Sequence, residues 1–185
     1  MCHPEFPGIL RKIYADGTIF AQRDEIMREN AFGSIKKMLE TASVPFKMVK
    51  HEPTFTSQQS AKARGEDISI GGKAIVMKIG ESFKLFVLSA ALRVNSASIK
   101  KHFMEKRIRF ATKEELHELT GLVPGCVPPF GEPIFHLELY VDKSVLQNEK
   151  IAFNAGSLTD SIIMQTEDYL KIARPTGVFD FSIPV

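Results

Sequence analysis

Hydrophobic and polar positions along the chain fall into short blocks whose period switches between about 3.6 and about 2 residues. Ile35, Met38, Leu39 and Ala42 stand at i, i+3, i+4 and i+7, which predicts a helix capped by Ser34 and ended near Pro45. Phe46 to Val49 reads as a short strand, with Phe46 and Met48 alternating with Lys47. Thr56-Ser57-Gln58-Gln59 is a capping-box pattern and predicts a helix up to Gly65. Lys73 to Ile79 and Phe83 to Leu88 are apolar enough for central strands, and Gly80-Glu81-Ser82 between them suits a hairpin. Asn95 or Ser96 caps a helix that turns Ile99 and Phe103 inward, followed by a brief strand from Arg107 to Phe110. A second capping box, Thr112 to Glu115, opens a helix that buries Leu116 and Leu119 and stops at Gly121. Phe135, Leu137, Leu139 and Val141 alternate with Ile134, His136, Glu138 and Tyr140, the clearest strand pattern in the chain. Ile151 to Phe153 and Ser161 to Met164 are strand candidates around the turn Asn154-Ala155-Gly156-Ser157. Thr166-Glu167-Asp168 starts a last helix through Leu170 and Ile172, and Asp24 to Asn30 holds a short one near the start. Strands and helices intermix without a regular βαβ period, which predicts a mixed α/β or α+β fold around a curved sheet.

Composition narrows the function classes. The 185 residues are 44% hydrophobic and 25% charged, ordinary values for one globular domain with a real core. With 24 Lys and Arg against 22 Asp and Glu the net charge is +2, so contact with nucleic acid has to be local. Two cysteines, Cys2 and Cys126, build neither a disulfide framework nor a four-thiolate zinc site, and a reducing cytoplasm is the expected home. No apolar run approaches the roughly 18 residues that cross a bilayer, and secretion and membrane anchoring are not expected.

Several patterns invite chemistry. Gly71-Gly72-Lys73 resembles the end of a phosphate-binding loop, but Asp67 and Ala74 stand where that loop requires Gly and Ser or Thr. Lys73 instead opens an apolar strand, where an ammonium is either partly desolvated and directed or simply on the surface. The histidines at 3, 51, 102, 117 and 136 are dispersed, and His136-Leu137-Glu138 lacks the Pro-Cys-x-x-Cys that completes a zinc deaminase signature, so no metal is expected. Cys126 is either a nucleophile or, more simply, a small residue filling a tight loop. Pro124-Gly125-Cys126-Val127-Pro128-Pro129-Phe130-Gly131 is a loop with restricted backbone freedom. Lys100, Lys101, Lys106, Arg107 and Arg109 form the strongest local basic cluster, either a solvated face or a set of phosphate contacts.

His51-Glu52-Pro53, Gly72 to Val76, Phe86-Val87-Leu88 with Arg93-Val94, Arg109-Phe110-Ala111, Thr120-Gly121 with Gly125 to Gly131, and Ile151 to Ser157 resemble, in order and spacing, the YbaK family, also found associated with prolyl-tRNA synthetases. The likeness spans Ala31 to Leu170. It implies a single mixed α/β domain with a curved, barrel-like sheet flanked by helices over residues 31–173, preceded by an extension (1–30) and followed by a tail (174–185). It also implies trans-acting hydrolysis of mischarged aminoacyl-tRNA, with no cofactor. Lys73 inherits the family's required lysine, and the Gly-x-x-x-Pro loop maps onto Gly125 to Pro129, placing Gly125 and Pro129 with Lys73 as catalytic. His51, Thr56, Cys126, Val127, Pro128, Asn154, Gly156 and Ser157 are the expected substrate contacts, and Lys100, Lys101 and Arg107 the expected tRNA phosphate contacts. Two positions depart from the family pattern: Ala74, where Thr or Asn is frequent, and Asn154, where some members carry an acid. The expected partner is the acceptor end of an aminoacyl-tRNA, with a synthetase as a second candidate, no membrane, and a monomeric state. With no base evident beyond His51 and His136, the terminal ribose 2′-hydroxyl is the expected aid to hydrolysis. A non-catalytic module that binds aminoacyl-tRNA or a synthetase is the rival reading, and retention of both Lys73 and the loop favours the enzyme.

Overall fold

Three β-sheets carry the fold in a computed structural model that describes residues 31–185. The expected helix at Asp24 to Asn30 and the extension it belongs to lie outside the described residues. The first described helix, α1, runs through residues 31–41 and buries Ile35 and Leu39 completely. Ser34 lies inside it instead of capping it, and Ala42 is past its end and exposed, so the inward stripe is Ala31, Ile35 and Leu39.

Strand β1 (Phe46–Lys50) pairs antiparallel with β8 (Asp160–Gln165), which pairs antiparallel with β7 (Lys150–Asn154). The larger sheet has the order β5-β2-β3-β6-β9. Its centre is the hairpin of β2 (Gly72–Ile79) and β3 (Ser82–Ser89), closed by Gly80-Glu81 with Gly80 at φ +59°, the left-handed first position that suits glycine in a two-residue turn. Both strands read as nearly continuous apolar runs because both faces are covered. Leu85 and Val87 face the main core, and Phe86 and Leu88 face a second core completed by Met77, Ile79, Ile99, Tyr140 and Phe181. The edges are β5 (Ile108–Phe110) and β9 (Gly177–Phe179). A third, two-stranded sheet joins β4 (Leu92–Val94) to β10 (Ser182–Pro184).

Among the described residues no sheet closes into a barrel. The large and the three-stranded sheets meet at one parallel bridge, Gly71 to Ala152. Gly72 serves this approach, since a Cβ on it would stand 2.7 Å from Ile151 Cδ1, while a Cβ on Gly71 would stand 2.7 Å from Ala90 Cβ in the turn after β3.

Four of the described helices, α2 to α5, start where a side chain caps them. Both predicted capping boxes are formed, Thr56 with Gln59 at α2 (Ser57–Arg64) and Thr112 with Glu115 at α4 (Lys113–Thr120). Asn95 caps α3 (Ser96–Phe103) by accepting from the amides of Ala97 and Ser98. Asp142 caps the short α5 (Lys143–Leu146), and α6 (Thr166–Ala173) buries Tyr169.

The strand expected from Phe135 is only half present. β6 spans Glu138–Asp142, while residues 131–137 form turns in which the amides of Ile134 and Phe135 both donate to Gly131 O. Side-chain alternation survives, with Phe135 and Leu137 buried and His136 exposed, but turns produce it and not a ladder. Residues 174–185, set apart by the sequence as a tail, supply β9 and β10, and Phe181 between them is fully buried. The Asp142 carboxylate accepts from Phe181 N at 2.5 Å and Ser182 Oγ at 2.7 Å and ties this segment down.

Candidate functional site

Beside the Gly71 to Ala152 bridge a cleft of about 350 Å³ opens between β2, α2 and the loop that follows α4. Its walls are mostly apolar. Among the described residues the polar side chains on it are Thr54, Thr56, Ser57, Ser60, Arg64, Lys73 and Asn154, which bring two cations and neither a carboxylate nor an imidazole.

Lys73 reaches the cleft from the start of β2, half-buried, with Nζ donating to Leu92 O. Burial pushes its pKa down from the ordinary lysine value. An ammonium has three donors, and one is spent on Leu92, leaving two for an incoming group.

The loop on the same cleft is pinned through its carbonyls. Gly125 O accepts from Asn154 Nδ2 at 2.8 Å, Cys126 O from Gly156 N at 3.0 Å, and Pro129 O from Tyr169 Oη at 2.8 Å. Gly125 sits at φ +91°, a conformation that a side chain would strain. Among the described residues the amides of Gly125 and Val127 have no hydrogen-bond acceptor, and both residues line the cleft.

Asn154 is itself held from behind. Its Oδ1 receives Arg64 Nη2 at 2.6 Å and lies 3.1 Å from Ser161 Oγ. Arg64 Nε donates to Ser161 Oγ at 2.9 Å, and His51 Nε2 lies 2.8 Å from that same oxygen. The Arg64 guanidinium is largely buried, which lowers its pKa to about 10. Arg64 and Ser161 are absent from the sequence-derived candidates; the one weak signal for Arg64 is an arginine on a helix whose opposite end caps into the matched segment.

Of the expected substrate residues, Thr56, Val127 and Asn154 line the cleft with Lys73 and Gly125. The expected contacts His51, Cys126, Pro128, Gly156 and Ser157 do not, and neither does Pro129, expected to be catalytic. Cys126, Pro128, Pro129 and Gly156 are buried around the loop, Pro129 has no N–H to offer, and Ser157 bonds Thr159 and Asp160 within its own turn. His136 is exposed and bonds Glu132, away from the cleft. Lys100 and Lys101 are exposed on α3 without an ion pair among the described residues, whereas Arg107 pairs with Glu81 at 3.1 Å and Glu105 at 3.8 Å.

The aminoacyl-tRNA editing domain model matches residues 51–172, which takes in the cleft's α2, β2, loop and Asn154. The chain belongs to the aminoacyl-tRNA editing domain family. The multifunctional Ser/Thr-tRNA deacylase ProXp-y of Escherichia coli (strain K12) is 34% identical over 161 residues, covering 80% of this chain and 95% of that protein. The proline-tRNA ligase of Macrococcus caseolyticus is 24% identical over 147 residues, which are 77% of this chain but 24% of the ligase, so this editing domain corresponds to one part of that enzyme. The fold matches a solved structure described as a candidate trans-editing enzyme for prolyl tRNA synthetase, with TM-score 0.71, 24% identity and coverage of 83% of this chain and 97% of that one. A hypothetical protein of known structure matches with TM-score 0.72 and 22% identity, over 80% of this chain and 99% of its own. Among the described residues no helix of this editing domain is long and apolar enough to cross a membrane.

Proposed function

We propose that this editing domain hydrolyses the ester of mischarged aminoacyl-tRNA in trans, with Lys73 and the amides of Gly125 and Val127 as its working groups. The observation that carries the reading is the pairing, across one cleft, of a partly desolvated ammonium with two unpartnered amides. Such donors stabilise the negative charge that grows on an ester carbonyl when water adds to it.

Water attacks the carbonyl carbon, its oxygen takes the negative charge toward the loop amides, and the C–O bond to the ribose 3′-oxygen then breaks. The attacking water loses a proton and the 3′-oxygen gains one. Among the described residues no carboxylate or imidazole lines the cleft to move that proton, which favours the neighbouring 2′-hydroxyl as relay. Lys73 and Arg64, with no acid beside them on the cleft wall among the described residues, suit an entering phosphodiester. Gly125 belongs to this machinery through its amide, and Pro129 serves it by stiffening the loop. Lys100 and Lys101 are the proposed phosphate contacts beyond the cleft, and Arg107, neutralised by two glutamates, is a weaker one. The proposed setting is a monomer in the cytoplasm, with the acceptor end as ligand and a synthetase as a second partner.

The name of the relative from E. coli directs the first assay to seryl- and threonyl-tRNA, and the hydroxyls of Ser57 and of the bonded pair Thr54 and Ser60, 2.8 Å apart, can meet a β-hydroxyl. Purified protein should release amino acid from at least one member of a mischarged tRNA panel. A substrate charged on the 3′-hydroxyl of a terminal 2′-deoxyadenosine should bind normally and hydrolyse much more slowly. Binding across the panel with hydrolysis of none would make the chain a recognition module.

A further inference from the structure

We infer that His51 is a positioning residue for the 125–129 loop, its proton deciding whether Ser161 helps to hold Asn154 and, through it, the Gly125 carbonyl. The inference follows from counting protons around one hydroxyl. His51 Nδ1 lies 2.8 Å from Glu52 O, and a carbonyl has no proton to give, so Nδ1 is the donor there. In the neutral ring Nε2 is then bare and must accept from Ser161 Oγ at 2.8 Å. That uses the only proton Ser161 has. The contact from Ser161 Oγ to Asn154 Oδ1 at 3.1 Å is then left without hydrogen, and Arg64 alone holds Oδ1.

When the ring is protonated, Nε2 donates instead. Ser161 Oγ now accepts from His51 and from Arg64 Nε, and its own proton turns to Asn154 Oδ1. The amide of Asn154 is clamped from two sides, and its Nδ2 is aimed more firmly at Gly125 O, 2.8 Å away. His51 touches no cleft surface, so it acts through other residues and not on substrate. Arg64 of α2 is the charged group that shares Ser161 with the ring; Lys50 and Glu52 flank His51 in the chain, and Asp160 at the head of β8, opposite Lys50, has its carboxylate taken by Ser157 and Thr159.

The claim about geometry stands without the deacylase reading, and its consequence for turnover rests on it, so the test has two arms. In the full chain, NMR would follow the His51 ring, the Asn154 side-chain amide and the Cys126 backbone amide, which reports on the Gly125 carbonyl, between about pH 5 and 8, where histidine changes charge. All three should move with one midpoint. In Ser161→Ala the ring should still titrate while the other two signals stay flat, and in His51→Gln they should stay flat as well. Signals that keep following pH in either variant, or that ignore His51 in the unaltered protein, overturn the inference. On a substrate found by the panel above, the kcat ratio of unaltered protein to Ser161→Ala should grow about fivefold from pH 8 to pH 5, the worth of one hydrogen bond, with KM unchanged. A flat ratio also overturns it. A chain that hydrolyses nothing but shows the coupled NMR response would sink the deacylase reading and leave this one standing.

Discussion

Lys73 carries the largest single consequence in the molecule, because one side chain supplies both a cation to the cleft and a cost to the fold. Burial holds its pKa below the usual 10.5, so the unfolded chain binds that proton more tightly than the folded one. Stability is therefore lowered wherever the folded lysine is charged, neutral pH included, and recovers as pH rises toward the unfolded value. Lys73→Met should cut kcat by about 10²-fold or more, the scale of a lost electrostatic stabiliser. Its Tm should hold or rise at pH 7, with the advantage shrinking in more alkaline buffer. A scan of Tm against pH beside single-turnover rates checks both. Asn154 shows what an amide does at this position that an acid could not. Its oxygen receives Arg64 while its nitrogen donates to Gly125 O, and a carboxylate can do only the first. Lys73, Gly125 and Asn154 were legible because each sits in a matched segment. Arg64 was not, since an arginine on a polar helix looks like any solvated side chain until β7 and β8 fold over it.

At the scale of elements, local signals were read where the local chemistry decides the backbone. Both capping boxes, the Asn95 cap and the Gly80 turn are set by residues within four positions of one another. Residues 131–137 misled because alternating burial is a property of side chains, and a run of turns can produce it as well as a strand does. That run depends on Gly131, where a Cβ would run into Leu137 O, a backbone atom unable to swing aside. Gly131→Ala should cost about 1–3 kcal/mol. At this chain length that lowers Tm by about 2–4 °C per kcal/mol. Gly33→Ala on α1, where nothing lies within 4 Å, is the matched control and should hold or raise Tm in the same calorimetric run.

For the whole molecule, the small net charge places the electrostatics of tRNA binding in a few local groups instead of a general field. Lys100 and Lys101 are exposed and unpaired among the described residues, so replacing both with Ala should weaken tRNA binding and reduce its salt slope by about 1 to 2 units, with kcat nearly unchanged. An unaltered slope in filter-binding titrations would return them to the role of solvated charges. The C-terminal segment was illegible for a reason of distance: β9 and β10 are three residues each, and the amide of Phe181 finds its acceptor, Asp142, 39 positions upstream. That long reach also orders events at the ribosome. Met77, Phe86 and Tyr140 emerge well before Phe181, and until it arrives the nascent chain leaves their apolar side uncovered, open to chaperones and proteases.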